Sequence, residues 1–169
     1  NTMQTVPQHN QPVISQTEKN TTLWIGHLKS DPNDHIAGQT FTCPSDGVIN
    51  NIQVYSSTVQ YPGDVALTLH EFDTASKTWG PAIGDATMFI QKGEDSRWVR
   101  FYLAPVELKK DRTYGFRLRT ENALIGIGEA ASMAKHPFTF GSEWKSDALD
   151  HQGQYFSYFS LAFKVELCA

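Results

Sequence analysis

The chain has little that would staple it, thread it through a membrane or charge it strongly. Two cysteines in 169 residues, Cys43 and Cys168, allow one bridge at most. Strand parity argues against even that one. Cys43 shares the face of Phe41, whereas Cys168 shares the face of Lys164 and Glu166, opposite the core-facing Leu167. Both are expected to be free thiols, because bridged residues must come within about 7 Å at Cα. No apolar window approaches 18 residues, so no transmembrane span is expected, and no signal peptide is visible. Lys and Arg number 14 against 18 acids, a formal charge of −4. That balance gives no electrostatic reason to expect nucleic acid or an anionic membrane as a partner.

Catalytic and metal signatures are scarce too. The six histidines are scattered singly, without the H-x-H pair of a cupin-type metal site. There is no nucleophile elbow, no phosphate-cradling glycine loop and no H-E-x-x-H. A retaining glycosidase needs two carboxylates about 5 Å apart. The nearest pattern is Glu71-Phe-Asp73 at a strand end, with no third acid in step. An enzyme is therefore the third choice, behind two kinds of binding module.

What the chain does have is strand grammar. Residues 1–22 are rich in Gln, Asn, Thr and Pro and form a polar linker or N-terminal arm, with Val13–Ile14 as its point of attachment. From residue 23 to 169 short alternating runs are broken by turn residues, which predicts a single domain. Val48, Ile52 and Val54 share one parity; so do Val65, Leu67 and Leu69, with Thr68 and His70 outward. Val99, Phe101 and Leu103 follow, then Tyr114, Phe116 and Leu118 with Arg117 and Arg119 outward. The last run aligns Phe159, Leu161, Phe163, Val165 and Leu167. Period-two alternation without a 3.6-residue stripe predicts an all-β fold of 8–9 strands: an antiparallel, two-sheet β-sandwich. Jelly-roll topology is the first expectation and an immunoglobulin-type sandwich the second.

The stretches QTFTCPSDGVI (39–49), IQVY (52–55), GDVALTLHE (63–71), WVRFYLAPVEL (98–108) and YGFRL (114–118) resemble the carbohydrate-binding-module-like jelly rolls of exported bacterial proteins. The resemblance covers about residues 36–168. It implies a non-catalytic accessory module of a secreted or surface-attached protein, expected as a monomer, with no particular sugar specified.

Sugar binding needs an aromatic face for the apolar side of a pyranose, flanked by planar polar groups. Two regions qualify. One is a rim of turns: Tyr61, Trp79 in TASKTWGP, and Trp144 with Asp147 and Gln152 in the polar segment 141–154, read as a long connecting loop. The other is a sheet face on which Trp98, Arg100 and Tyr102 point away from the core, as do Arg117, Arg119, Phe156 and Tyr158; for the Arg117–Arg119 pair, cross-strand ion pairs with acids are the first expectation. Trp79 could equally plug a hairpin, and Trp98 with Tyr102 could lie under the N-terminal arm. The rival class is a structural or adhesive domain that contacts protein through the same aromatics. Asp31, Asn33 and Asp34 could ligate a structural Ca²⁺, helped by Glu166 or Glu129. The alternative for Asp31-Pro-Asn33-Asp34 is a plain turn.

Overall fold

In the computed structural model these alternating runs become antiparallel strands, with no helix among the described residues, which are 12–27, 34–93, 95–132, 136–147 and 152–168. The strands are β1 (Pro12–Gln16), β2 (Thr21–His27), β3 (Asp34–Thr42), β4 (Gly47–Tyr61), β5 (Gly63–Asp73), β6 (Thr78–Ile90) and β7 (Arg97–Tyr102). There follow β8 (Glu107–Leu108), β9 (Thr113–Arg119), β10 (Leu124–Ala131), β11 (Glu143–Asp147), β12 (Gln154–Phe156), β13 (Phe159–Leu161) and β14 (Phe163–Leu167). The main path of hydrogen-bonded neighbours is β1-β14-β4-β10-β2-β3-β9-β5-β6. Strand β7 pairs with β4, β13 with β10, and β11 with β3 and β12.

Fourteen strands among the described residues replace the expected eight or nine, and hydrogen bonds link the main path into one sheet. Three differences account for much of the change. The 1–22 segment is not all linker: β1 pairs with β14, Ser15 opposite Lys164, so the Val13–Ile14 attachment is a strand. Thr78–Ile90 is a single strand, so Trp79 lies on β6 and not in a turn. The expected loop 141–154 contains β11, which pairs with β3 from Glu143↔Gln39 to Asp147↔His35.

The sheet curls so that strands far apart along this path face each other. Phe163 on β14 meets Phe41 on β3 at 6.2 Å and Phe116 on β9 at 5.7 Å between ring centroids. None of these strands is a hydrogen-bonded partner of β14. The expected residues Val65, Leu67, Leu69, Val99, Phe101, Phe116, Leu118, Phe163 and Val165 are all buried in this shared core. Each such side chain contributes about 1.5–3 kcal/mol by leaving water. Val48 is a correction. The β4–β14 register shifts between Glu166↔Asn51 and Leu167↔Ile49, so Ile49 takes the core position and Val48 is only half-buried. An extra residue at a bulge reverses the parity beyond it. Both cysteines are free, with Cys43 buried and Cys168 exposed.

Candidate functional site

Facing the core, β5 and β9 present aliphatic and aromatic side chains; facing outward they present a different chemistry. The register places Thr68 of β5 beside Arg117 of β9, Arg117 beside Gly38 of β3, and Gly38 beside Trp144 of β11. One row along, Ala66, Arg119, Ile36 and Ser146 line up near one another; one row back stand His70 and Gly115. A cleft of about 340 Å³ lies on this face, lined by Ile36, Ala66, Thr68, His70, Arg117, Arg119, Trp144 and Ser146.

Two glycines shape its floor. A Cβ on Gly115 would stand 2.5 Å from the Trp79 ring, and one on Gly38 would stand 3.0 Å from the Trp144 ring. Lacking side chains, these adjacent strands let the indole of Trp79 reach across from β6 and lie against the sheet. Trp79 and Trp144 then meet at 5.3 Å with an interplanar angle of 64°, and His70 and Phe72 edge onto Trp79 at 5.5 and 5.3 Å. The Arg117 guanidinium sits over both indoles, 4.3 Å from Trp79 and 4.8 Å from Trp144. Such stacking orients the guanidinium plane.

The polar groups here are held in defined states. His70 Nδ1 lies 2.9 Å from the Gly80 carbonyl, which can only accept, so Nδ1 carries the proton. In the neutral ring Nε2 then accepts from Thr68 Oγ1 at 2.8 Å. Burial, and after it the charge on Arg117, lower the His70 pKa and favour that neutral form. Arg117 is half-buried, and burial also lowers its pKa. Among the described residues neither Arg117 nor Arg119 makes an ion pair with an acid, and Arg117 Nε is sealed without an acceptor.

No protein-family model matches the chain, and no curated protein matches it. Its chemistry has to be read from its own geometry.

The expected site residues fall in separate places. Trp79 and Trp144 come together, and Gln152 joins them through its main-chain carbonyl, which accepts from Trp144 Nε1 at 3.0 Å. Asp147 ends β11 opposite His35. Trp98, Arg100 and Tyr102 alternate on β7, whose outer face lies beside β4. There Trp98 packs edge-on against Tyr55 at 5.4 Å and carries Lys164 over its ring at 4.2 Å, while Arg100 pairs with Glu166 at 3.5 Å. Tyr61 stands apart at the end of β4. None of the four tryptophans is exposed, and Trp144 is only 2% so. No tryptophan therefore offers an exposed ring as a sugar platform, and Trp144 belongs instead to the floor of the cleft. Asp31 and Asn33 lie outside the described residues; Asp34 Oδ1 is 3.2 Å from His27 Nδ1. Glu129 and Glu166 are instead engaged by Lys145 and Arg100.

Thr68 and His70 are not among the expected site residues, and Arg117 and Arg119 were expected on a sheet face apart from Trp79 and Trp144. The outward parity of Thr68, His70 and the two arginines was legible, and so were Gly38 and Gly115, whose presence within strands signals a close approach. What joins them is the pairing of β5, β9 and β3.

Behind β11, on the side away from Trp144, lies a carboxyl pair. Glu143 is fully buried, Glu129 nearly so, and Lys145 Nζ approaches Glu129 Oε2 at 3.3 Å and Glu143 Oε2 at 3.5 Å. Burial first, and then the adjacent Glu129, push the Glu143 pKa up to about 9. Burial alone would raise Glu129 as well, but the Glu143 proton, the Thr21 hydroxyl and Lys145 hold it below its usual range. The pair thus shares one proton at neutral pH.

Proposed function

We propose that this chain is a non-catalytic accessory module of a secreted or surface-attached protein that binds carbohydrate in the cleft over β11, β3, β9 and β5. The observation that carries the reading is Arg117, seated over two indoles in the cleft and without an acid partner among the described residues. Thr68, Ser146 and Arg119 flank it with groups suited to sugar hydroxyls. The reading of a non-catalytic role draws on the described residues lining the cleft, none of which is a carboxylate, and on the Glu129–Glu143 pair lying behind β11. The finer architecture belongs to this proposal: we read the curled sheet as a jelly-roll sandwich, its two layers meeting where Phe41 and Phe116 face Phe163.

The rival reading places a protein partner on the outer face of β7, where Tyr102 is 61% exposed. Affinity electrophoresis through a panel of neutral and acidic polysaccharides separates the two. Ala66→Tyr fills the cleft and is expected to abolish retardation, whereas Tyr102→Ala is expected to retain it. A wild-type chain that no polysaccharide retards would refute sugar binding. Retention by Ala66→Tyr with loss in Tyr102→Ala would move the site to the β7 face.

A further inference from the structure

The cleft has a charge that the rest of the chain does not. Acids outnumber Lys and Arg by 18 to 14 overall, yet the described residues that line the cleft include Arg117 and Arg119 and no Asp or Glu. Three cations elsewhere pair with acids: Lys109 with Glu107 at 2.6 Å, Arg100 with Glu166 at 3.5 Å and Lys145 with Glu129 at 3.3 Å. The two arginines of the cleft have no such partner among the described residues, although both belong to one strand. Being two residues apart on β9 they share a face, with Cα atoms about 7 Å apart, so both can reach a single small anion. A guanidinium presents a planar fork of donors that matches a carboxylate in bidentate geometry.

We infer that the cleft takes a carboxylate-bearing sugar, so that the preferred ligands are glycans built of uronic acids; this rests on the carbohydrate-binding reading above. The carboxylate lies between Arg117 and Arg119, and the ring hydroxyls face Thr68 and Ser146. The surroundings limit how much negative charge the ligand carries. Asp64 and Glu121 line the adjoining hollow beyond Arg119, and Asp85 stands opposite Thr68 on β6. These acids repel densely sulfated chains and tolerate one carboxylate per sugar, held at the arginine end.

Calorimetry on the full chain tests this with oligogalacturonate and with the same oligomers after reduction of their carboxyl groups to alcohols. The native oligomer is expected to bind at least tenfold more tightly. Arg119→Gln is expected to remove most of that preference at an unchanged thermal midpoint, and Arg119→Lys to restore only part of it. Arg119 serves as the probe because Arg117 is packed on both indoles, and its loss would disturb the floor. Equal affinity for native and reduced oligomers overturns the carboxylate inference and leaves sugar binding standing. Absence of binding to every uronate and neutral glycan overturns both. Tighter binding of a heparin-like chain, insensitive to Arg119→Gln, overturns the inference in favour of diffuse charge attraction.

Discussion

Glu143→Gln isolates the energetic consequence of the buried carboxyl pair. The fold keeps Glu143 protonated up to a pKa of about 9, against an ordinary value of 4.5. Below pH 4.5 the group is neutral in both folded and unfolded chains, and its contribution is fully present. Above that pH the unfolded chain gains by releasing the proton while the folded chain cannot. Stability therefore falls as pH rises, and the fall ends only near the folded pKa. Each pH unit in this window costs about 1.4 kcal/mol, so roughly 3 kcal/mol is lost between pH 5 and pH 7 through this residue alone. Glutamine mimics the protonated acid in shape and can donate to Glu129, but it has no proton to lose. Urea unfolding followed by tryptophan fluorescence at pH 5, 6 and 7 gives both stabilities. The stability of the variant relative to wild type is expected to climb by roughly 3 kcal/mol over that range. A constant packing offset would shift the difference without tilting it, so the slope is the diagnostic quantity. Parallel curves for the two proteins would refute a protonated Glu143 at neutral pH.

Two further outcomes follow from burial and close approach. In native protein one thiol, Cys168, is expected to react with a disulfide reagent while Cys43 stays silent until unfolding, because Cys43 is buried and burial raises its pKa; fast reaction of both would contradict the core position of Cys43. Gly115→Ala is expected to destabilise the chain by about 1–3 kcal/mol, since the added methyl meets the Trp79 ring, and to shift tryptophan emission as that indole is displaced; an unchanged spectrum and urea midpoint would refute the packing of Trp79 on the sheet.

Much of the strand pattern was legible because each run's core-facing side chains are apolar. Val65, Leu67 and Leu69 or Phe163 and Val165 announce a half-buried strand by alternation alone. β11 was not legible for the opposite reason. Its two sides carry Trp144 and Ser146 on one and Glu143 and Lys145 on the other, and a strand that buries an ionisable side chain looks like a loop. Only the partners Glu129 and Thr21, distant in sequence, make that burial tolerable. The shift from Val48 to Ile49 was hidden similarly, because a bulge depends on the partner strand as much as on its own residues. For the site, outward parity marked Arg117 and Arg119 but suggested cross-strand ion pairs. Whether an arginine has an acid beside it is decided by neighbouring strands, which here bring Thr68, Gly38 and Ile36 to it.

How Arg117 is held also bears on what the cleft can bind. An arginine already in an ion pair must give up that pair to take an anion, and only the difference appears as affinity. Arg117 begins instead against two ring faces, which fix its plane without neutralising its charge. Such contacts are worth about 0.5–2 kcal/mol each, less than a ligand's charge-assisted bonds can add, and they need not break when the ligand arrives. Part of the side-chain ordering that binding requires has thus occurred on folding. The chain of cause runs from Gly38 and Gly115, which leave room for the indoles, through Trp79 and Trp144, which seat on them, to the guanidinium. Gly115 touches no ligand in this scheme, yet a methyl there would loosen the floor on which the charge is aimed. Affinity in the cleft is therefore governed by the packing beneath it as well as by the groups that line it.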